Sequence, residues 1–145
     1  MRILGIESTC DETAASIVDD GRWVRSNIVA SQAQMHPVYR GVLPEIASRA
    51  HIETIISVIE RAMHQAECSR DSIDAIAVAH RPGLIGSLLI GVTSAKTLAW
   101  AWNKPLVAVD HVQAHLYSVN LRTERDDQPI ADRPAVELVG SGGHT

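Results

Sequence analysis

Near Leu43 the hydrophobic pattern of this chain changes period, and the change limits the architectures open to it. Upstream, apolar residues come in short runs parted by polar turns, at 2–7, 14–18 and 23–30, the last carrying Trp23, Val24, Ile28 and Val29. Short runs rich in β-branched and aromatic residues read as strands. The tight Asp19-Asp20-Gly21 punctuation predicts a hairpin between the second and third runs, so the chain opens as an antiparallel meander. Residues 31–41 contain Pro37 and Gly41, show no period and read as a loop. From Leu43 the apolar positions Ile46, Ala47, Ala50, Ile55, Val58, Ile59, Ala62, Met63 and Ala66 step by three and four. That spacing predicts a long amphipathic helix. Pro44 suits its first turn and Glu45 its positive end.

The remainder alternates. Residues 74–79 read as a buried strand broken by His80-Arg81-Pro82-Gly83, and 86–102 as a second helix with Leu88, Leu89, Val92, Ala95, Leu98, Ala99 and Trp102 on its apolar side. Residues 106–109 form another strand, and Asp110 is placed to cap a third helix running to about Leu121, with Gln113 completing a capping-box-like pair. Residues 123–133 are charged and contain Pro129, as a linker or exposed loop does; 135–139 begin a new strand that leads into Gly-Ser-Gly-Gly-His-Thr. The order β-β-β-α-β-α-β-α describes an α/β protein with a mixed sheet flanked by helices. It is the order of one half of the ribonuclease-H-like, actin-like ATPase (ASKHA) fold, which usually pairs two halves around a ligand. Residues 1–122 are expected to form the first subdomain and 123–145 the linker, first strand and Gly-rich loop of a second one cut short, so the polypeptide reads as a fragment.

Composition narrows the function classes. A 145-residue chain with 46% hydrophobic and 21% charged residues is long enough to bury a core. No apolar run approaches the roughly 20 residues of a membrane span, and Glu7 interrupts the N-terminal run too early for a signal peptide. Cys10 and Cys68 stand alone, offering neither a disulfide framework nor a Cys-x-x-Cys site, and the expected compartment is the cytoplasm. A net charge of −4 argues against coating nucleic acid by bulk electrostatics while leaving room for a local basic patch.

Four stretches carry chemistry. His111 and His115, four apart on the third helix, face the same way and can chelate one ion such as Zn or Fe, whose bonds to imidazole nitrogen are roughly 2.0–2.1 Å. The same spacing also occurs by chance. The metalloprotease signature His-Glu-x-x-His needs a Glu after the first His, and here that residue is Val112. Ser8–Thr13 joins the first two strands; its amides and hydroxyls can cradle phosphate and Asp11 and Glu12 can hold a cation or position a nucleophile, or it is a solvated turn. Arg-Pro-Gly-Leu-Ile-Gly-Ser at 81–87 leaves amides at a positive helix end that suit an anion, although Pro and Gly also simply start helices. Ser141-Gly142-Gly143-His144-Thr145 permits close backbone approach to a phosphate or carbamoyl group, or forms a plain turn.

Taken in order, Gly-Ile-Glu-Ser-Thr-Cys-Asp-Glu-Thr, Gly-Val-Leu-Pro-Glu-Ile-Ala-Ser-Arg-Ala-His, Pro-Gly-Leu-Ile-Gly-Ser-Leu-Leu-Ile-Gly, His-Val-Gln-Ala-His and Ser-Gly-Gly-His-Thr closely resemble the TsaD family of tRNA N6-adenosine threonylcarbamoyltransferases, formerly called O-sialoglycoprotein endopeptidases. The resemblance implies transfer of the threonylcarbamoyl group from threonylcarbamoyl-adenylate to N6 of adenosine 37 in tRNAs reading codons that begin with A. It implies one divalent metal, Fe or Zn, held by His111 and His115; substrate contacts from Val139, Gly140, Ser141, Gly142 and Gly143; and a catalytic role for Asp11 and Glu12. It also implies TsaB-, TsaE- and TsaC-type partners, a possible homo- or heterodimer, and no membrane. Three departures stand out. The family's Thr-x-Gly-Pro-Gly is Ala79-His80-Arg81-Pro82-Gly83 here, Gly140 replaces a Val, and the family's third metal ligand, a late Asp, with its nucleotide-gripping segments, is not within these 145 residues. Activity of this stretch in isolation is therefore not expected. Two other readings stay open at this level: a non-catalytic, TsaB-like pairing module or truncated paralogue, and the older metal-dependent glycoprotease.

Overall fold

In β1 (Arg2–Glu7) and β2 (Glu12–Asp19), alternation sends Leu4, Ile6, Ala15 and Ile17 to one face, where all four are buried. The coordinates are a computed structural model, and the structure describes residues 1–32 and 43–123. The remaining elements are β3 (Trp23–Ser31), α1 (Pro44–Gln65), β4 (Ala75–Arg81), α2 (Ile85–Trp102), β5 (Leu106–Asp110) and α3 (His111–Tyr117), with single 3-10 turns at Arg70–Ser72 and Ser118–Asn120. The five-stranded sheet runs β3-β2-β1-β4-β5. β1, β2 and β3 are antiparallel neighbours, as the Asp-Asp-Gly turn predicts, and β4 and β5 join parallel to β1. The expected ribonuclease-H-like half, a mixed sheet in the order β-β-β-α-β-α-β-α, is the fold found.

Helices α1 and α2 cover the Leu4/Ile17 face. Ile55, Val58, Ile59 and Ala62 of α1 and Ala95 and Ala99 of α2 meet Ile76 and Val78 of β4 there. Each fully buried Leu or Ile adds about 1.5–3 kcal/mol through apolar area removed from water. Gly5, Ser16 and Ala77 lie side by side in register on the opposite face.

Three boundaries differ from the sequence reading. Strand β4 continues through His80 to Arg81, because Arg81 still pairs with Asp110 across a bulge and the ladder is stopped only by Pro82. Strand β2 starts at Glu12, which pairs with Ser31, so this carboxylate belongs to a strand end rather than to the turn. Helix α3 ends at Tyr117 instead of near Leu121: the Ser118 hydroxyl donates to the His115 carbonyl at 2.7 Å and the chain tightens into a 3-10 turn. The strand expected at 135–139 and the Gly-rich loop after it lie outside the described residues, as does most of the loop expected at 31–41.

Candidate metal centre

Because β1, β4 and β5 are parallel, their C-terminal ends share one edge of the sheet. That edge carries Glu7, Ser8 and Thr9 after β1, Arg81 at the end of β4, and Asp110 and His111 where β5 meets α3. Ligands of open α/β sheets collect at such edges.

Asp110 organises the start of α3. Its Oδ1 accepts from the amides of Val112 and Gln113 at 3.0 and 3.2 Å, the cap expected from sequence, although Gln113 contributes its backbone rather than a reciprocal side-chain bond. The other oxygen meets Arg81 Nε at 3.2 Å. The bulky cation that stands where the family has Gly is thus accommodated as a partner of the helix cap.

With α3 so fixed, His111 and His115 converge: their Nε2 atoms are 3.1 Å apart and the rings meet edge to face. Two nitrogens bound to one first-row ion lie roughly 2.9–3.4 Å apart for octahedral to tetrahedral angles. The separation of the pair matches that range. On the far side of the first ring, Nδ1 donates to Glu7 Oε2 at 3.1 Å and lies 3.5 Å from Thr9 Oγ1. Among the described residues no three His, Cys, Asp or Glu side chains gather around one point, so the two imidazoles are the donors this region offers.

Asp11 and Glu12 are not brought into contact with the histidines, whose hydrogen bonds go to Glu7, Thr9 and each other. The loop that carries Asp11 is nevertheless held firmly. The Cys10 carbonyl accepts from His51 Nε2 of α1 at 3.1 Å and from Ser87 Oγ of α2 at 3.3 Å. His51, fully buried, also meets Thr13 Oγ1 at 2.7 Å. Ser8 Oγ donates to the Ser87 carbonyl and accepts from Gly91 N, while the Thr9 carbonyl accepts from Leu84 N at 2.8 Å. Gly83 serves this packing: a Cβ there would stand 2.5 Å from the Thr9 carbonyl oxygen. One amide leading into α2 is thereby committed to protein rather than to an anion. Burial, with Asp11 beside it, pushes the Cys10 thiol up, so the loop presents carboxylates and not a thiolate nucleophile.

Sequence reasoning found the histidine pair, Asp110 and the Ser8–Thr13 stretch that contains Thr9, but missed Glu7 and His51. Glu7 ends a strand parallel to the one that delivers His111, a signal readable only once the strand order is known. Val139, Gly140, Ser141, Gly142 and Gly143 lie outside the described residues.

This is a ribonuclease-H-like half with a paired-imidazole centre at the carboxyl edge of its sheet. The fold is shared by YeaZ from Pseudomonas aeruginosa, with a TM-score of 0.56 at 18% identity over 76% of this chain and 45% of that one. The family model for TsaD, tRNA N6-adenosine threonylcarbamoyltransferase, matches residues 23–145. Enzymes of that name from Treponema denticola and Thermomicrobium roseum are 53% and 51% identical across the whole chain. The chain belongs to the TsaD family. It spans 41% and 40% of the length of those two relatives.

Proposed function

We propose that this chain supplies the metal-holding N-terminal part of a threonylcarbamoyltransferase that acts on N6 of adenosine 37 in tRNAs reading codons that begin with A, in the cytoplasm. The observation that carries the reading is the 3.1 Å convergence of His111 Nε2 and His115 Nε2 in a chain of the TsaD family. The transfer joins the adenosine amine to the carbamoyl carbon of threonylcarbamoyl-adenylate and expels the adenylate. His111 and His115 would hold the divalent ion, Fe or Zn, which when bound supplies a Lewis acid for the threonylcarbamoyl group. Asp110, through its cap on α3, sets the direction of both imidazoles. Asp11, on the loop whose Cys10 carbonyl is held by His51 and Ser87, and Glu12, at the adjoining start of β2, would be the carboxylates that take the proton released from the attacking amine. Val139, Gly140, Ser141, Gly142 and Gly143 complete the substrate contacts in this proposal, and tRNA with TsaB-, TsaE- and TsaC-type proteins are its partners.

The test is complementation of a bacterium depleted of its own enzyme by the full-length gene carrying this sequence, reading threonylcarbamoyladenosine in bulk tRNA by mass spectrometry. His111→Ala and His115→Ala should each abolish the modified nucleoside. Retention of wild-type levels in both variants overturns the assignment.

A further inference from the structure

The carboxylate of Glu7 is spent in an unusual way. It stands at the end of β1, partly shielded at 30% side-chain exposure, beside a His111 ring that is 24% exposed. Its Oε1 accepts from the Thr9 amide at 2.5 Å and its Oε2 accepts from His111 Nδ1 at 3.1 Å. Both oxygens are turned away from the point where the two Nε2 atoms meet. The contact with Glu7 favours one tautomer of the neutral His111 ring. A carboxylate only accepts, so His111 must carry its proton on Nδ1. In the neutral ring this leaves Nε2 with a bare lone pair, 3.1 Å from His115 Nε2.

We propose that Glu7 is the positioning residue of the metal centre: it locks His111 in the tautomer whose Nε2 lone pair faces His115, while remaining outside the coordination sphere. This rests on the metal reading above and adds to it a residue that no spacing in the sequence connects to the histidines. Such outer carboxylates fix ring orientation and raise ligand basicity, and their loss typically weakens metal affinity 10- to 100-fold. The backbone places the group with little freedom, because Thr9, which pins one oxygen, is itself fixed to Leu84 N through its carbonyl.

The experiment has two readouts, one of which needs no metal. Long-range proton–nitrogen correlation of the histidine rings in the metal-free chain should show His111 protonated at Nδ1. Glu7→Ala should move that proton toward Nε2, and Glu7→Gln, whose amide oxygen still accepts, should restore it. Zn2+ affinity, measured by competition with a chromophoric chelator, should fall 10- to 100-fold in Glu7→Ala and less in Glu7→Gln. His111→Ala run alongside separates the two levels of the argument. If it leaves Zn2+ affinity unchanged, the metal reading itself falls. If it lowers affinity while Glu7→Ala does not, the role given to Glu7 alone is overturned. A His111 proton that stays on Nδ1 in Glu7→Ala, or a carboxylate oxygen in the first coordination shell by X-ray absorption, overturns it as well.

Discussion

Arg2 grips Asp19 with two nitrogens, Nε to Oδ1 at 2.7 Å and Nη2 to Oδ2 at 2.9 Å, and Arg25 adds a third contact at 2.7 Å. The bonded Arg2 guanidinium, seconded by Arg25, holds the Asp19 carboxyl well below the usual carboxylate range. A carboxyl lowered on folding stabilises above its ordinary value near 4, and that stabilisation is lost as pH falls through the lowered one. Asp19→Asn should therefore cost about 1–2 kcal/mol at neutral pH, a figure reduced because both arginines are partly exposed. The gap from wild type should begin to narrow below about pH 4 and go on narrowing as pH falls further, read from urea midpoints across a pH series. Equal gaps at pH 3 and pH 7 would contradict the pairing. At the same scale, the i, i+4 spacing of His111 and His115 was legible in the sequence, whereas Glu7 was not, since it lies 104 positions from His111 and only sheet pairing joins them.

Among elements, the β1–β2 loop packs closely against α2. A Cβ on Gly91 would fall 2.3 Å from Ser8 Oγ and 3.4 Å from its Cβ. Gly91→Ala should destabilise by about 1–3 kcal/mol through overpacking. Ser8→Ala removes the clashing oxygen, so the double variant should be less destabilised than the sum of the singles, by about 1 kcal/mol in a denaturation cycle. Strict additivity would show that the two groups do not touch. For α3, Asp110→Ala should cost about 1 kcal/mol of cap energy and Asp110→Asn much less, because Asn also accepts from the N2 and N3 amides. If the cap positions the imidazoles, Zn2+ affinity measured by chelator competition should follow the same order. The sequence reading placed all eight of these elements correctly in kind. It erred at their ends, where Arg81 reaches across a bulge to Asp110 and Ser118 bonds back to His115, choices made by neighbours rather than by local pattern.

At the scale of the whole molecule, two imidazoles leave at least two positions of a first-row ion to water or to other ligands. Residues 1–145 alone should therefore bind Zn2+ weakly, and a longer form of the protein that contributes the further carboxylate expected from the family resemblance should bind it at least tenfold more tightly. Equilibrium dialysis of both forms measures the difference, and equal affinities would remove the need for a further ligand. No helix among the described residues is long and apolar enough to cross a membrane. Ile52 and Ile56, one turn apart on α1, and Leu89 on α2 remain exposed.

Hydrophobic period and turn chemistry, both local, determined from sequence alone that strands come first, that helices and strands then alternate, and that two histidines share a helix face. Strand order was decided by which apolar faces bury together, a long-range choice that no window of sequence contains. Only that order brings the end of β1 beside the start of α3, seating Glu7 against the His111 ring whose Nε2 lies 3.1 Å from that of His115.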